Sequence, residues 1–502
     1  METTEENTNS KVATGRENPL RAEKRRKLES LKELGFNPFP HEFDKSISNQ
    51  ALREKFSHLE EGEQAEGEIF TLAGRLMTKR DMGKAAFFTI QDQSGVFQGY
   101  IRIKEVDEAS QVFFKHVDIG DFIGFSGFVF KTRKGELSLH CKDFQIISKS
   151  LEPLPEKYHG ITDTELKYRQ RYLDLVMDPK SRKVFEMRSK IIREIRSFLD
   201  NRGFLEVETP ILQPIYGGAS ASPFVTHHNA LDMQLFMKIS PELYLKRLIV
   251  GGFEKVYDLN KNFRNEGIDR SHNPEFTMLE WYEAYTDYKY QMKQFEELCA
   301  HVCKEVTGGL KVTYEGKEVD FTTPWKRITM IDAIKEYGQI DVTALSDDEL
   351  FEKLKSFDDS LDKAPLRGEM IAELFEHTAE HHLWNPTFVL DHPVEISPLT
   401  KNHRTEKGMV ERFEPFICGM ELGNAYTELN DPVEQRERLQ EQEAKRVVDD
   451  EAQPMDEDFI RAIEVGMPPT GGVGLGIERL GMVLTGCHSI RDIILFPTMK
   501  VK

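Results

Sequence analysis

The chain has 502 residues, 67 lysines and arginines against 86 aspartates and glutamates, and a formal net charge of −19. That length supports about two or three domains with ample core, and the acidic balance argues against indiscriminate nucleic-acid binding, confining any such contact to local basic patches. There is no secretory signal and no run near the ~18 apolar residues of a membrane span, and the 5 cysteines (Cys141, Cys299, Cys303, Cys418, Cys487) form no CxxC pair, which predicts reduced thiols in a cytosolic protein rather than a disulfide frame or a zinc site.

Residues 1–18 are polar and expected to be disordered. Leu20–Leu34 turns helical and basic, and Gly35-Phe36-Asn37-Pro38-Phe39-Pro40 breaks it. From about 67 to 148 the chain reads as short strands with glycine turns between them: Glu68–Met77, Phe87–Asp92, Val96–Ile103, Asp121–Lys131 and Leu137–Ile147. That many strands in so short a stretch fits a small barrel, with an OB-fold the leading option. Alternation turns Phe88, Ile90, Phe97, Ile101 and Ile103 inward. Phe87, Gln98, Tyr100 and Arg102 face outward, with Lys79, Arg80 and Lys84 expected beside them. An exposed aromatic among amides and cations suits stacking on single-stranded bases; a plain barrel surface fits the same residues.

Leu151–Gly160 is a proline-bearing hinge. A long helix is predicted from about Arg182 to Asp200, with Val184, Met187, Ile191, Ile195 and Phe198 at helical spacing. Arg202–Leu212 (RGFLEVETPIL) then reads as a strand ending in a proline. Tyr216-Gly217-Gly218 is a loop whose glycines allow close approach to a ligand. Ser240, Pro241 and Glu242 read as N-cap, N1 and N2 of a helix through Leu243, Leu245 and Leu248, where Glu242 also suits the helix dipole. The stretch from about 290 to 405 is expected to be mostly helical and charged. His377, His381 and His382 within it carry no HExxH, and we read them as structural.

Phe253–Tyr285 reads as strand, long polar loop, strand. The first arm is expected to end at Asn260, and the loop carries Arg264, Glu266, Arg270, His272 and Asn273 before Pro274. In the second arm period 2 puts Phe276, Met278, Glu280 and Tyr282 on one face; an acid and a phenol there suit a lined pocket. In Glu411–Asp431, Asn424, Tyr426 and Glu428 share a face. Glu421 has the wrong parity, so a bulge or turn near Gly423 is expected. Glu414 and Glu421 suit hard-cation ligation. Finally Pro468–Pro497 is a glycine-rich strand turning into a helix with Arg479 in its first turn, an arrangement that favours an anion. No GK[ST] or GxGxxG is present.

These residues resemble the class II aminoacyl-tRNA synthetases in their lysine-specific form. Motif 2 of that family stands here as Phe263-Arg264-Asn265-Glu266-Gly267, then His272-Asn273-Pro274-Glu275-Phe276-Thr277, then Glu280. Motif 1 is similar to about 182–212 and motif 3 to about 468–497. AGRLMTKRDMGKAAFFTIQD and KTRKGELSLHC look like the family's anticodon-binding barrel. The resemblance implies an α+β chain: an N-terminal tail and basic helix (1–64), an OB-fold barrel (65–150), a hinge (151–165) and a catalytic domain built on an antiparallel sheet flanked by helices (166–502), ending the chain.

It further implies ATP-dependent activation of lysine to an adenylate, then transfer to tRNA(Lys), in a cytoplasmic homodimer without membrane association. Arg264 and Arg479 are expected to be catalytic. Gly218, Glu242, Arg264, Glu280, Tyr282, Asn424, Tyr426 and Glu428 are expected to bind lysine. Arg264, Glu266, His272, Asn273, Phe276, Glu414, Glu421 and Arg479 are expected to bind ATP. Glu414 and Glu421 would hold Mg2+, up to about three ions per subunit in such enzymes. Arg80, Phe87, Gln98 and Glu136 are expected at the anticodon. The basic helix is either a solvated face or an auxiliary tRNA contact. Competing readings are a protein-modifying lysyl ligase, which would lack the barrel, a non-catalytic paralogue, which would have lost Arg264, Glu414, Glu421 or Arg479, and an aspartyl or asparaginyl relative, which would need a cation where the pocket acids stand.

Overall fold

The computed structural model describes residues 18–155, 161, 163–446 and 452–501. The expected tail up to residue 17 and the hinge residues 156–160 lie outside them. The chain divides into two compact units, the second beginning at Ile161.

The first unit is a closed barrel of five strands, β1 (Gln64–Asp81), β2 (Ala85–Gln91), β3 (Val96–Arg102), β4 (Phe122–Lys131) and β5 (Leu137–Ser148), in the order β1-β2-β3-β5-β4. Phe88 centres its core, edge-on to Phe125 and Phe144 at 4.9 and 5.6 Å. A side chain at Gly99 would run into the Phe88 ring. The faces of β2 and β3 follow the alternation, but those of β1 do not. The β1–β2 register shifts between Leu76 and Thr78, a bulge that reverses parity for the rest of β1. Lys79 therefore does not join the outer face. It pairs across from Phe88, donates to the Phe114 carbonyl at 2.8 Å and lies 4.1 Å from that ring. Arg80 pairs across from Phe87 instead.

A helix not expected from the sequence, Glu108–His116, joins β3 to β4; Asp107 caps it by accepting from Ser110 N, and Phe113 and Phe114 are buried. The basic N-terminal helix, Pro19–Glu33, packs on the same side. Lys24, Leu28 and Leu31 are buried, and Lys24 Nζ donates to the Ile119 carbonyl at 2.8 Å. Much of its remaining charge is matched, Arg26 by Glu23 at 2.7 Å and Lys32 by Glu29 at 3.0 Å. One face of this helix is thus an anchored part of the fold.

The second unit is built on a mixed, mainly antiparallel sheet of nine strands. In spatial order these are Lys326–Thr329, Thr387–Pro393, Met409–Ile417, Gly423–Thr427, Thr470–Gly476, Glu275–Ala284, Lys255–Phe263 and Leu205–Glu206, with Met420–Glu421 pairing on Met409–Ile417. The two outermost pairs are parallel and the rest antiparallel. Helices Pro179–Asp200, Tyr288–Thr307 and Ile477–Thr485 supply Ile191, Ile195, Phe295, Cys299, Cys303 and Leu480 to the core on one face of it. The Glu275–Ala284 strand divides its side chains accordingly. Leu279 and Trp281 enter that core, the indole donating to Gln291 Oε1 at 2.8 Å, while Phe276, Met278, Glu280 and Tyr282 line a cavity on the other face.

Three local expectations are corrected. The first arm of the hairpin continues past Asn260 to Phe263, since Asn260 pairs with Met278 and the ladder runs on to Phe263 opposite Glu275. The helix after Ser240 begins at Glu242, with Pro241 at the cap position; Ser240 Oγ still accepts from Glu242 N at 3.1 Å. The stretch 290–405 holds four further strands among its helices, two of them in the main sheet. The predicted break beside Gly423 falls at Leu422, whose N–H bonds the Pro415 carbonyl between two short strands.

Candidate active site

The cavity over the sheet has a volume of about 340 Å3 and is lined by residues from the motif 2 and motif 3 segments, from Gly218–Ser220 and Glu242, and from the Arg412–Tyr426 strands; the motif 1 segment contributes none. Its walls are permitted by glycine. Gly472 and Gly474 lie across from Tyr282 and Glu280 in the neighbouring strand. A side chain at Gly472 would overlap Glu428 Oε1 and the Tyr282 ring, and one at Gly423 would overlap the Gly474 carbonyl. Gly218 lines the opposite lip at φ +85°, with Ser240 Oγ 2.8 Å from where a Cβ would stand. Glycine alone tolerates both demands there.

One end of the cavity is acidic and buried. Glu280 is 5% exposed and accepts from Ser240 Oγ at 2.8 Å and Tyr282 Oη at 3.1 Å. Burial, then the nearby Glu242, push its carboxyl up to about 8. Glu242 accepts from Lys246 Nζ at 2.7 Å and from the Tyr426 hydroxyl. Burial raises both phenols, Tyr282 and Tyr426, well above their ordinary range. Glu428 is fully buried and pairs with Lys246. It stands behind Gly472 rather than among the residues that line the cavity.

The other end is mixed in charge. Arg264 lies 5.2 Å over the Phe276 ring, and its Nε is buried without a hydrogen-bond partner among the described residues. Burial lowers its pKa, yet a guanidinium stays charged. Glu414 and Glu421 lie on neighbouring strands and both line the cavity. Each holds an arginine, Arg412 Nη2 at 2.6 Å from Glu414 and Arg479 Nη1 at 3.2 Å from Glu421. Arg479 also reaches His272 Nε2 at 3.2 Å, while His272 Nδ1 bonds Asp269 Oδ2 at 2.7 Å. With Arg479 the obligate donor, His272 Nε2 accepts, so the imidazole proton sits on Nδ1. Asn424 Oδ1 accepts from Arg412 Nε at 2.9 Å. Asn273 donates to the Glu275 carbonyl at 2.6 Å, and its own oxygen is buried without a hydrogen-bond partner among the described residues. Glu266 stands exposed at the mouth.

A second chamber of about 540 Å3 shares His272, Arg412, Glu414, Glu421 and Arg479 and adds Glu376, Glu380 and His392. Burial, then Glu376, push the Glu380 carboxyl up to about 7.

Sequence reasoning missed Arg412 and Lys246. Arg412 had a signal, sitting two residues before Glu414 on the same strand face; Lys246 had only its place one turn after Glu242. The histidines read as structural make aromatic contacts, His377 stacking on Phe357 at 5.8 Å and His382 on Tyr337 at 5.2 Å.

In the barrel, Arg80, Phe87 and Gln98 share one outer face by register. Phe87 lies 4.7 Å from the Tyr100 ring. Gln98 Nε2 donates to Ser138 Oγ at 2.7 Å, and Ser138 Oγ reaches the Glu136 carbonyl at 3.4 Å. The Glu136 carboxylate pairs with Arg53 at 3.3 Å.

The family model described as tRNA synthetases class II (D, K and N) matches residues 163–500. This chain belongs to that family. A second model, an OB-fold nucleic acid binding domain, matches residues 70–147 of this class II synthetase. Among its relatives are lysine–tRNA ligases. That of Clostridium novyi is 53% identical over 489 residues, covering 96% of this chain and 95% of the relative. That of Syntrophomonas wolfei is 51% identical, covering 94% and 95%. That of Thermoanaerobacter pseudethanolicus is 51% identical, covering 97% of each. Among the described residues no helix is long and apolar enough to cross a membrane.

Proposed function

We propose that this protein is a lysine–tRNA ligase that forms lysyl-adenylate from lysine and ATP and transfers the lysyl group to tRNA(Lys). The observation that carries the choice of amino acid is the charge of the buried end. Glu242 and Glu428 pair with the one resident cation, Lys246, and Glu280 stands beside Glu242. A ligand with two ammonium groups restores neutrality there, and Arg264 meets its carboxylate. Aspartate would add a carboxylate to a site already rich in them, and asparagine would leave the excess unpaired.

A carboxylate is already a nucleophile, so adenylate formation needs alignment and charge neutralisation rather than a base. Arg264 bridges the lysine carboxylate and the α-phosphate with its planar fork; its unpaired Nε supports this role. Glu280 and the Gly218 backbone take the α-ammonium. Glu428 and Glu242, through the gap at Gly472 and beside Tyr426, take the ε-ammonium, with Tyr282 adding its hydroxyl and Asn424 a polar wall. Phe276 stacks on adenine, and Arg479, released from Glu421 and His272, covers the nucleotide; Glu266, His272 and Asn273 bind its base and phosphates. Glu414 and Glu421 offer hard oxygens on adjacent strands and would hold Mg2+, up to about three ions per subunit in this reading. When bound, magnesium supplies charge neutralisation to the phosphates. Arg80, Phe87, Gln98 and Glu136 read the anticodon. We place the enzyme in the cytoplasm as a homodimer.

Pyrophosphate exchange with each of twenty amino acids tests this. Lysine should support exchange, followed by charging of tRNA(Lys). Exchange driven by aspartate or asparagine, with lysine inert, overturns the assignment.

A further inference from the structure

Lys246 is fully buried, one turn after Glu242 on the Glu242–Val250 helix. Its ammonium holds Glu242 at 2.7 Å and pairs with Glu428. The rings of Tyr426 and Phe459 lie 5.6 and 5.9 Å from Nζ. Glu280 and Tyr282 stand on the adjacent strand, bonded to each other. Asp456, on the side of Phe459, is taken by Arg247 at 2.7 Å. Lys246 is therefore the resident cation among three buried carboxylates.

A purely structural ion pair would be self-contained, and such pairs are often replaceable by apolar residues at little cost. This one is not self-contained. Glu428 Oε1 has no hydrogen-bond partner among the described residues, and it occupies the space that a side chain at Gly472 would take. Gly472 lines the cavity, so only its backbone separates the carboxylate from the cavity at that point. One oxygen of Glu428 is thus committed to Lys246, and the other lies buried behind Gly472 without a partner of its own among the described residues.

We propose that Lys246 is a specificity-determining residue: it pairs with both Glu242 and Glu428 and fixes the two side chains behind the amino-acid end of the cavity, set for the ε-ammonium of a lysine substrate. This rests on the lysine reading above. Without Lys246 the two carboxylates share a proton or splay apart, and the ε-ammonium meets a pocket of the wrong charge and shape. The role is one of positioning, since Lys246 acts through Glu242 and Glu428.

Two variants test it by lysine-dependent pyrophosphate exchange, with folding checked by thermal melting. Lys246→Met keeps the volume and removes the charge. It should lower kcat/KM for lysine on the order of a hundredfold, chiefly through KM, because a partner of a buried charge pair is lost. The KM for ATP should stay within about twofold, as its residues are untouched. Lys246→Ala leaves space for a small amine. n-Propylammonium should restore at least about tenfold of its lysine kcat/KM, and 1-propanol, of the same shape, should restore none. A Met variant with wild-type kcat/KM overturns the proposal, as does equal rescue by propanol, which would mean that only volume matters. If the alanine variant does not fold, the Met variant decides. Wild-type enzyme inert toward lysine would sink the earlier reading; active wild type with an unaltered Met variant would sink this one alone.

Discussion

Glu280 shows how one buried residue couples binding to pH. Its carboxyl is pushed to about 8 by burial and by Glu242, against an ordinary value of ~4.3 in an unfolded chain. A raised pKa means the folded state prefers the neutral form. The stability that Glu280 contributes is full below ~4.3 and is lost as pH rises through about 8. An ammonium ligand reverses the preference, because it pairs with the ionised form. Lysine binding near pH 7 should therefore release about one proton, and lysine affinity should rise between pH 6 and 8. Calorimetry at pH 7 in buffers of different ionisation enthalpy measures the release. Glu280→Gln should abolish it; release undiminished in that variant would assign the proton elsewhere. The residue scale is also where sequence reading was weakest. The acids of the pocket were legible because carboxylates in an apolar, β-rich segment demand a reason. Lys246 was not, since a lysine on an amphipathic helix normally reaches solvent, and only the packing of Phe459 and Tyr426 over it reveals otherwise.

At the scale of elements, alternation and glycine turns made the barrel readable, with most strand ends within a few residues of those observed. What failed was parity across bulges. The irregularity at Leu76–Thr78 sends Lys79 onto Phe114 and leaves Arg80 beside Phe87. No sequence period encodes such a shift, because one extra residue looks the same whether it is paired or bulged. The Glu108–His116 helix was hidden for another reason: its nine residues bury mainly adjacent phenylalanines, too short a pattern for a 3.6-residue period to emerge. The glycines of Thr470–Gly476, read from the sequence as part of a strand, leave at Gly472 the room that Glu428 and Tyr282 fill. The barrel's outer face carries its own prediction. Phe87 is half-buried, against the Tyr100 ring and across from Arg80, a platform for one base. Phe87→Ala should raise KM for tRNA by about 5- to 150-fold, the ~1–3 kcal/mol of a lost base stack. Lysine-dependent pyrophosphate exchange should be unchanged. Equal damage to both activities would show that the barrel does more than bind tRNA.

For the whole molecule, the question is what its exposed apolar surface is for. Leu205, Ile211, Leu212 and Ile215 are 46, 37, 50 and 37% exposed within about ten residues, in the segment that resembles motif 1. Isolated exposed leucines need no explanation, but a run of them does. The formal charge of −19 makes copies of this chain repel one another at long range, so association has to be driven by burial at close range. Burying a fully exposed side chain of this kind contributes ~1.5–3 kcal/mol, and these, 37–50% exposed, retain up to about half of that for a partner. The Leu205–Glu206 strand pairs directly with Lys255–Phe263, the first arm of the hairpin that carries Arg264. A partner seated on this segment would therefore brace the hairpin. Leu212→Lys should convert the protein to a monomer in sedimentation velocity and lower lysine activation by at least about tenfold, with the fold retained in circular dichroism. Added salt should favour the wild-type dimer by screening the net charge. A Leu212→Lys monomer with full exchange activity would break the link between this surface and the site and leave the hairpin held by its own sheet alone.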